Sequence, residues 1–216
     1  MTTDMQLQKD VLAEFQWEPS LTAGHIGVAA DHGVVTLTGH VNSFAEKRAA
    51  ETAAWRVKGV KGVAEEIEVR LPLETKRTDE EIAAAAIDRL AWNVSLPKDA
   101  VKVLVADGWV TLTGQVDHFF QKEAATQDIR RLLGVVGLFN QITIKPRANA
   151  SNISDDIVHA LHRSWFFDPK TISVQVEGGR VKLTGTVRSP HDRRIAAATA
   201  WAAPGVTDVE NALAIV

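Results

Sequence analysis

Chemistry in this chain must come from histidine, carboxylates, or surface aromatic and basic groups, because its 216 residues include no cysteine. That removes disulfides, thiolate nucleophiles and cysteine metal sites together. Of the seven histidines, only His159 and His162 share a helical i,i+3 spacing at which two imidazoles could face one metal ion. No third ligand accompanies them, so a solvated helix face is expected and no metal is assigned. His25, His32 and His40 gather about one short hairpin and read as polar surface. The chain has no G-x-S-x-G, H-E-x-x-H, P-loop or G-x-G-x-x-G pattern. No acid, base or nucleophile recurs at one place in every repeat, and no catalytic residue is named.

Aromatic and basic side chains are better candidates, for contact rather than catalysis. Trp17 and Trp92 stand where a first helix gives way to its loop, and are expected to act as lids over the core. Trp55 and Trp201 occupy one position on a second helix, just past a stripe of alanines, where the middle repeat has Arg130. Trp109 lies on the threonine face of a strand. Indole is costly to leave in water, so Trp55, Trp109 and Trp201 are candidate interface residues between repeats or subunits, with lipid or client contact as the other use. The pairs Lys47-Arg48, Arg130-Arg131 and Arg193-Arg194 lie on second helices and are candidate contacts to an anionic surface, each charge contributing about 1 kcal/mol there. Glu46, Glu51, Glu123, Asp128 and Asp192 lie close by in sequence and offset them. Gly59-Val-Lys-Gly62 and Gly134-Val-Val-Gly137 are similar to the GxxG clamp of RNA-binding KH domains. The third repeat breaks that pattern with Asp208, and the net charge of −3 opposes it, so no nucleic-acid partner is expected.

The elements that position these residues come from an internal repeat. Gly33-Val-Val-Thr-Leu-Thr-Gly39-His-Val41 recurs as Gly108-Trp-Val-Thr-Leu-Thr-Gly114-Gln-Val116 and as Gly179-Arg-Val-Lys-Leu-Thr-Gly185-Thr-Val187. A Gly-Val pair follows each, at Gly59, Gly134 and Gly205. The first two copies align at an offset of 75 residues without a gap; the third keeps 75 in its first helix and then shifts to 71. The missing residues come out of the loop after that helix, which marks the loop as surface.

Each copy reads as α-β-β-α-β. An N-cap and acids, as in Thr78-Asp-Glu-Glu-Ile82, open a helix whose apolar residues include Ile82, Ala86, Ile87 and Leu90. Period-two runs such as Val101, Val103, Val105 precede a short turn, as at Ala106-Asp-Gly108, and the Gly-x-Val strand, which makes a hairpin. Val35, Leu37 and Val41 share one face of that strand with Gly39, where a side chain is expected to push a packing helix away. Ser43-Phe-Ala-Glu46 is a capping box for the second helix. Its stripe is Ala50, Ala54, Val57, then Ala125, Ile129, Leu132, then Ala196, Ala200, Ala203. Gly59, Gly134 and Gly205 are expected to be left-handed helix caps, while Gly39, Gly114 and Gly185 serve as structural turns in the strand. A last alternating strand closes the unit. The fold class is α+β: three tandem units over 1–73, 78–147 and 152–216, each a three-stranded mixed sheet with two helices on one face. Proline-containing polar joints link them at 71–77 and 146–152.

These landmarks resemble the BON domain, the bacterial osmotically inducible and nodulation domain, in three tandem copies covering nearly the whole chain. The resemblance implies the same α-β-β-α-β fold and no enzymatic activity. It further implies a stress-associated protein of the osmotic or envelope type that contacts phospholipid headgroups or client proteins. In one cytoplasmic branch it implies potassium binding, the alternative expectation here and the one cofactor considered. A structural homo-oligomer built on the tryptophan positions is the third. The N-terminus shows neither a basic nor an apolar signal region, so a cytoplasmic protein is expected, or a periplasmic one had a native signal been removed. No run of apolar residues is long enough for a transmembrane segment.

Overall fold

The structure, a computed structural model, describes residues 3–146, 153–163 and 171–216. Residues 147–152 and 164–170, Trp165 among them, lie outside the described residues.

In copy one the first helix, α1 (Asp4–Trp17), starts where the Thr3 hydroxyl accepts the Gln6 N–H at 3.3 Å. Its buried stripe is Leu7, Val11 and Phe15, spaced i,i+4. β1 (Ile26–Asp31) and β2 (Val34–Val41) form an antiparallel hairpin whose register runs from Asp31 opposite Val34 to Ile26 opposite Gly39. His32 and Gly33 fill the two-residue turn with φ of 50° and 87°, the doubly left-handed geometry whose twist matches that of the strands. α2 (Phe44–Arg56) begins at the Ser43 cap, and β3 (Gly62–Val69) returns parallel to β2. The sheet order β1-β2-β3 puts β2 in the centre. Both helices cover one face: Leu7, Val11 and Phe15 join Ala50, Ala53 and Ala54 over Val28, Val35, Leu37, Val41 and Ile67. Alanines on α2 let its backbone lie close to the strands, and the bulk comes from α1 and the sheet.

Copy two contains α3 (Asp79–Ala91), β4 (Val101–Ala106), β5 (Trp109–Val116), α4 (Phe119–Arg130), β6 (Gly137–Asn140) and β7 (Thr143–Ile144). Its sheet order is β4-β5-β6, and β7 also pairs with β5. The last strand is thus broken in two, at the point where the Asn140 side chain accepts the Ile142 N–H at 3.0 Å. Copy three contains α5 (Ile153–Arg163), β8 (Ile172–Glu177), β9 (Arg180–Val187), α6 (Pro190–Ala202) and β10 (Asp208–Ile215). β8 pairs antiparallel and β10 parallel with β9. Its core joins Ile157 and Leu161 to Val181, Leu183, Ala196, Ala200 and Leu213.

Three expectations change in detail. Gly39, Gly114 and Gly185 do not make room for a helix. Their φ values are 104°, 133° and 122°, and an added Cβ would come within 2.0, 2.1 and 1.9 Å of the carbonyl oxygens of His25, Ala100 and Thr171. The clash is with the backbone leading into the first strand. Gly59 is not itself the helix cap. α2 ends on Val57 in extended conformation, and Gly59 (φ 102°) sits third in a turn closed by the Val60 N–H on the Val57 carbonyl at 3.3 Å. Gly205 does the same after α6, with Val206 bonded to Ala203. Finally, Ile87 lies off the buried stripe of α3, which is Ile82, Ala86 and Leu90.

Candidate binding surfaces

The basic candidates on the second helices, and Arg131 just past the end of α4, separate into tethered and exposed groups. Lys47 lies 2.9 Å from the Glu65 carboxylate on β3 and donates to the Ile67 carbonyl at 2.7 Å. Arg48 pairs with Glu51 on the same helix. Arg193 donates to the Asn211 carbonyl at 2.9 Å, and the Asn211 amide returns a bond to the Arg193 carbonyl. Arg130 is half-buried, while Arg131 and Arg194 are exposed. Lys47 therefore links α2 to β3, while the Arg48 pair stays within α2.

The tryptophans are placed differently from one another. Trp201 is half-buried, stacked on Phe119 with ring centroids 4.0 Å apart. Trp55, its counterpart, is half exposed. Trp109 stacks on Phe139 at 5.0 Å on the outer face of the copy-two sheet. A Cβ on Gly137 would come within 2.2 Å of that indole, so the glycine is what lets Trp109 lie flat. In copy three the same two places hold Arg180 and Asp208, an ion pair at 3.5 Å, and Lys182 meets Glu210 beside them at 2.7 Å. The outer face is apolar in one copy and a charge ladder in another.

Trp17 and Trp92 are not core lids. They are 84% and 87% exposed. Each stands two residues beyond the last buried position of its helix, Phe15 or Leu90, which turns it about 200° around the axis and out of the core. Leu12 and Ile87, also equivalent to each other, are exposed five residues earlier on the same helices. Copies one and two thus each expose an aliphatic side chain and, five residues on, an indole. In copy two this region borders a groove of about 370 Å³ lined by Ile87, Leu90, Val94, Leu96, Pro97 and Lys98, among others. Val94 on its rim is fully exposed.

Family-model comparison matches the BON domain three times, over residues 3–70, 78–146 and 149–216. The chain belongs to the BON family. Osmotically-inducible protein Y of Escherichia coli (strain K12) is 30% identical to it over 151 residues, which cover 66% of this chain and 73% of that protein. Among solved structures, the C-terminal domain of CdsD, the structural protein of the type III secretion system of Chlamydia trachomatis, aligns over 99% of both chains. The identity is 16% and the TM-score 0.28, too low to carry an argument.

Within the BON repeat, two polar clips escape a reading by periodicity. In BON domain 1, Glu46 is buried; its two oxygens accept the Thr22 N–H at 2.6 Å and the Asn42 N–H at 2.9 Å, which ties the start of α2 to the loop after α1. In domain 2 the same position is Gln121. Its oxygen accepts from Asp117 and His118, and its amide donates to the Ser95 carbonyl at 3.1 Å. Pro97, the counterpart of Thr22, has no N–H to offer, and an amide donor to a carbonyl takes its place. The second clip sits at the hairpin turn. Asp79 accepts the N–H groups of Asp107 and Gly108 at 2.8 and 2.9 Å, and Asp4 accepts that of Gly33 at 3.4 Å. Asp4, Asp31 and His32 bring ligand atoms within 4.8 Å of one another. His32 Nδ1 lies 2.6 Å from Asp31, so bonds within the turn account for that cluster. His25 and His40 stack at 4.6 Å rather than converging on a point.

At the end of α1, Arg56 reaches back from α2 to Glu14 and Glu18, each at 2.7 Å. The guanidinium, with help from Ser20, lowers the Glu18 carboxyl to about 2 from its ordinary 4.5. Trp17 and Trp55 are carried by the two helix ends that this clamp joins. No helix among the described residues is long and apolar enough to cross a membrane.

Proposed function

We propose that this BON protein is a non-enzymatic, stress-associated binding protein that contacts phospholipid surfaces through the helix-one ends of domains 1 and 2. The observation that carries this reading is the repeated exposure of Trp17 and Trp92. An exposed indole suits the headgroup level of a bilayer, where one edge is wet and the other is not. Similarity to osmotically-inducible protein Y supports the association with osmotic stress.

The same surface implies how binding responds to salt. With a net charge of −3, and with Lys47 and Arg48 engaged inside domain 1, the attraction is apolar rather than coulombic. Flotation with neutral and anionic liposomes tests the reading. The chain floats with both at physiological salt, and Trp17→Ala with Trp92→Ala abolishes it. Flotation that depends on anionic lipid and disappears with salt would instead return the contact to Arg131 and Arg194. An absence of flotation with any lipid would sink the membrane reading and leave client proteins as the partner class.

A further inference from the structure

One row of the domain 1 sheet carries three metal-ligating side chains on its outer face. His40 on β2 lies opposite Glu68 on β3. Ile26 lies opposite Gly39, so His25, one residue before Ile26, falls opposite His40. Ile26, Val41 and Ile67, their chain neighbours, are buried against the helices, and strand alternation turns His25, His40 and Glu68 to the other face. The 4.6 Å stack of the two imidazoles confirms that they share it. The fold itself asks for none of the three. The same row holds Ala100, Gln115 and Thr143 in domain 2, and Thr171, Thr186 and Ala214 in domain 3. Only domain 1 brings imidazoles and a carboxylate together there.

We propose that His25, His40 and Glu68 bind a divalent transition-metal ion of the zinc class. Two imidazoles and one carboxylate suit Zn2+, whereas Mg2+ and Ca2+ take oxygen ligands. Opposite residues on one face of a sheet have Cβ atoms about 4.5–5.5 Å apart. An ion held above the central His40, about 2.0–2.1 Å from each ligand atom, is therefore within reach of both flanking side chains. The rings now lie face to face, so binding asks each to turn about its Cβ–Cγ bond. His25 is exposed and His40 only half-buried, which leaves room for that turn. On Glu68, the Arg70 guanidinium donates twice to the same oxygen, Oε2, at 2.7 and 2.8 Å, and Oε1 is left for the ion. Glu66, two residues before Glu68 on the same face, offsets the charge of Arg70. A bound ion joins the entry to β1, the centre of the sheet and β3.

The proposal is independent of lipid, and its test contains none. The full chain is titrated with Zn2+ in a calorimeter, in a buffer free of phosphate and chelators. Each ligand is exchanged for the residue that domain 2 carries at its place: His25→Ala, His40→Gln and Glu68→Thr. Circular dichroism checks that the variants are folded; should Glu68→Thr unfold, Glu68→Gln replaces it. Each exchange should weaken Zn2+ binding at least about ten-fold, the scale that loss of even an outer-shell partner produces. His32→Ala and His159→Ala remove the turn cluster and the helical histidine pair, and should leave that affinity unchanged. Mg2+ at the same concentration should not compete. Zn2+ should also raise the melting temperature of the wild type, as mass action requires, and not that of the chain with all three exchanges. The proposal is overturned if the wild type binds Zn2+ no better than that triple variant. It is equally overturned if any one of the three exchanges leaves the affinity unchanged, or if His32→Ala or His159→Ala weakens binding as much as they do.

Discussion

Lys47 on α2 reaches the last strand of its domain, its Nζ 2.9 Å from the Glu65 carboxylate and 2.7 Å from the Ile67 carbonyl oxygen. Glu65 turns its other oxygen to the Ile67 N–H at 2.6 Å. The arrangement recurs with different chemistry. Asn140 and Asn211 occupy the Glu65 position, each accepting the N–H two residues on and donating back to helix two, at the carbonyls of Lys122 and Arg193. In all three domains this clip fastens the second helix to the strand that follows it, which a stripe of alanines alone would hold only loosely.

Replacing Lys47 with Ala should therefore act on stability. The charge-assisted bond to Ile67 and the ion pair to Glu65 are both part-buried, and their loss should cost about 1–3 kcal/mol. Chemical denaturation of Lys47→Ala checks this. Liposome flotation of the same folded variant should match the wild type, whereas a headgroup-contacting lysine would lose binding and keep its stability.

Glu46 and Gln121 should not be interchangeable, although they fill the same place. Glu46→Gln turns an NH2 group toward one of two part-buried N–H donors, those of Thr22 and Asn42. Gln121→Glu loses the donor that the Ser95 carbonyl requires. Each should destabilise by about 1–3 kcal/mol. The decisive check is Glu46→Gln combined with Thr22→Pro. With the N–H gone, the glutamine penalty should be smaller than in the single variant, as measured in a double-mutant cycle.

Gly185→Ala is expected to be among the most damaging single-methyl additions in domain 3. The new Cβ would sit 1.9 Å from the Thr171 carbonyl oxygen, at a backbone φ of 122° that side chains avoid. A loss of about 3 kcal/mol or more is expected. Gly178→Ala is the control: its φ of 56° is also left-handed, but nothing lies within 4 Å of the added atom. Thermal melts should show a far smaller loss for Gly178→Ala.

The Glu18–Arg56 pair predicts a definite acid limb. The Glu18 carboxyl is depressed in the folded chain to about 2, against an ordinary 4.5. Its contribution is thus fully present above pH 4.5 and lost as pH falls from there through 2. In Glu18→Gln that dependence is gone. The difference in melting temperature between wild type and variant should shrink steadily from pH 5 to pH 2. A constant difference over that range would mean that the ion pair does not set it.

The fold was legible because it is written three times. The Gly-x-Val-x-Leu-x-Gly strands, the short turns before them and the alanine stripes recur at fixed offsets, and period alone separates strands from helices. Trp17 was legible too, had angle been weighed above hydrophobicity. Leu7, Val11 and Phe15 define the buried stripe, and two further residues carry Trp17 about 200° round the helix to the far side. The tether on Lys47 was not legible, because its partners lie on a strand about twenty residues away and only the parallel return of β3 brings them under α2. Nor was the pairing of Trp201 with Phe119, which joins residues of different repeats. Repetition describes each unit, and says nothing of how one unit meets the next.

Trp17 and Trp92 are proposed to enter the surface of a bilayer. Quenching of tryptophan emission by lipids brominated along the acyl chain reads that entry directly. In neutral vesicles at physiological salt, the wild-type chain should be quenched, and a folded variant carrying Trp17→Ala and Trp92→Ala should not be. Equal quenching of the two proteins, or none in either, would mean that these tryptophans do not enter the bilayer.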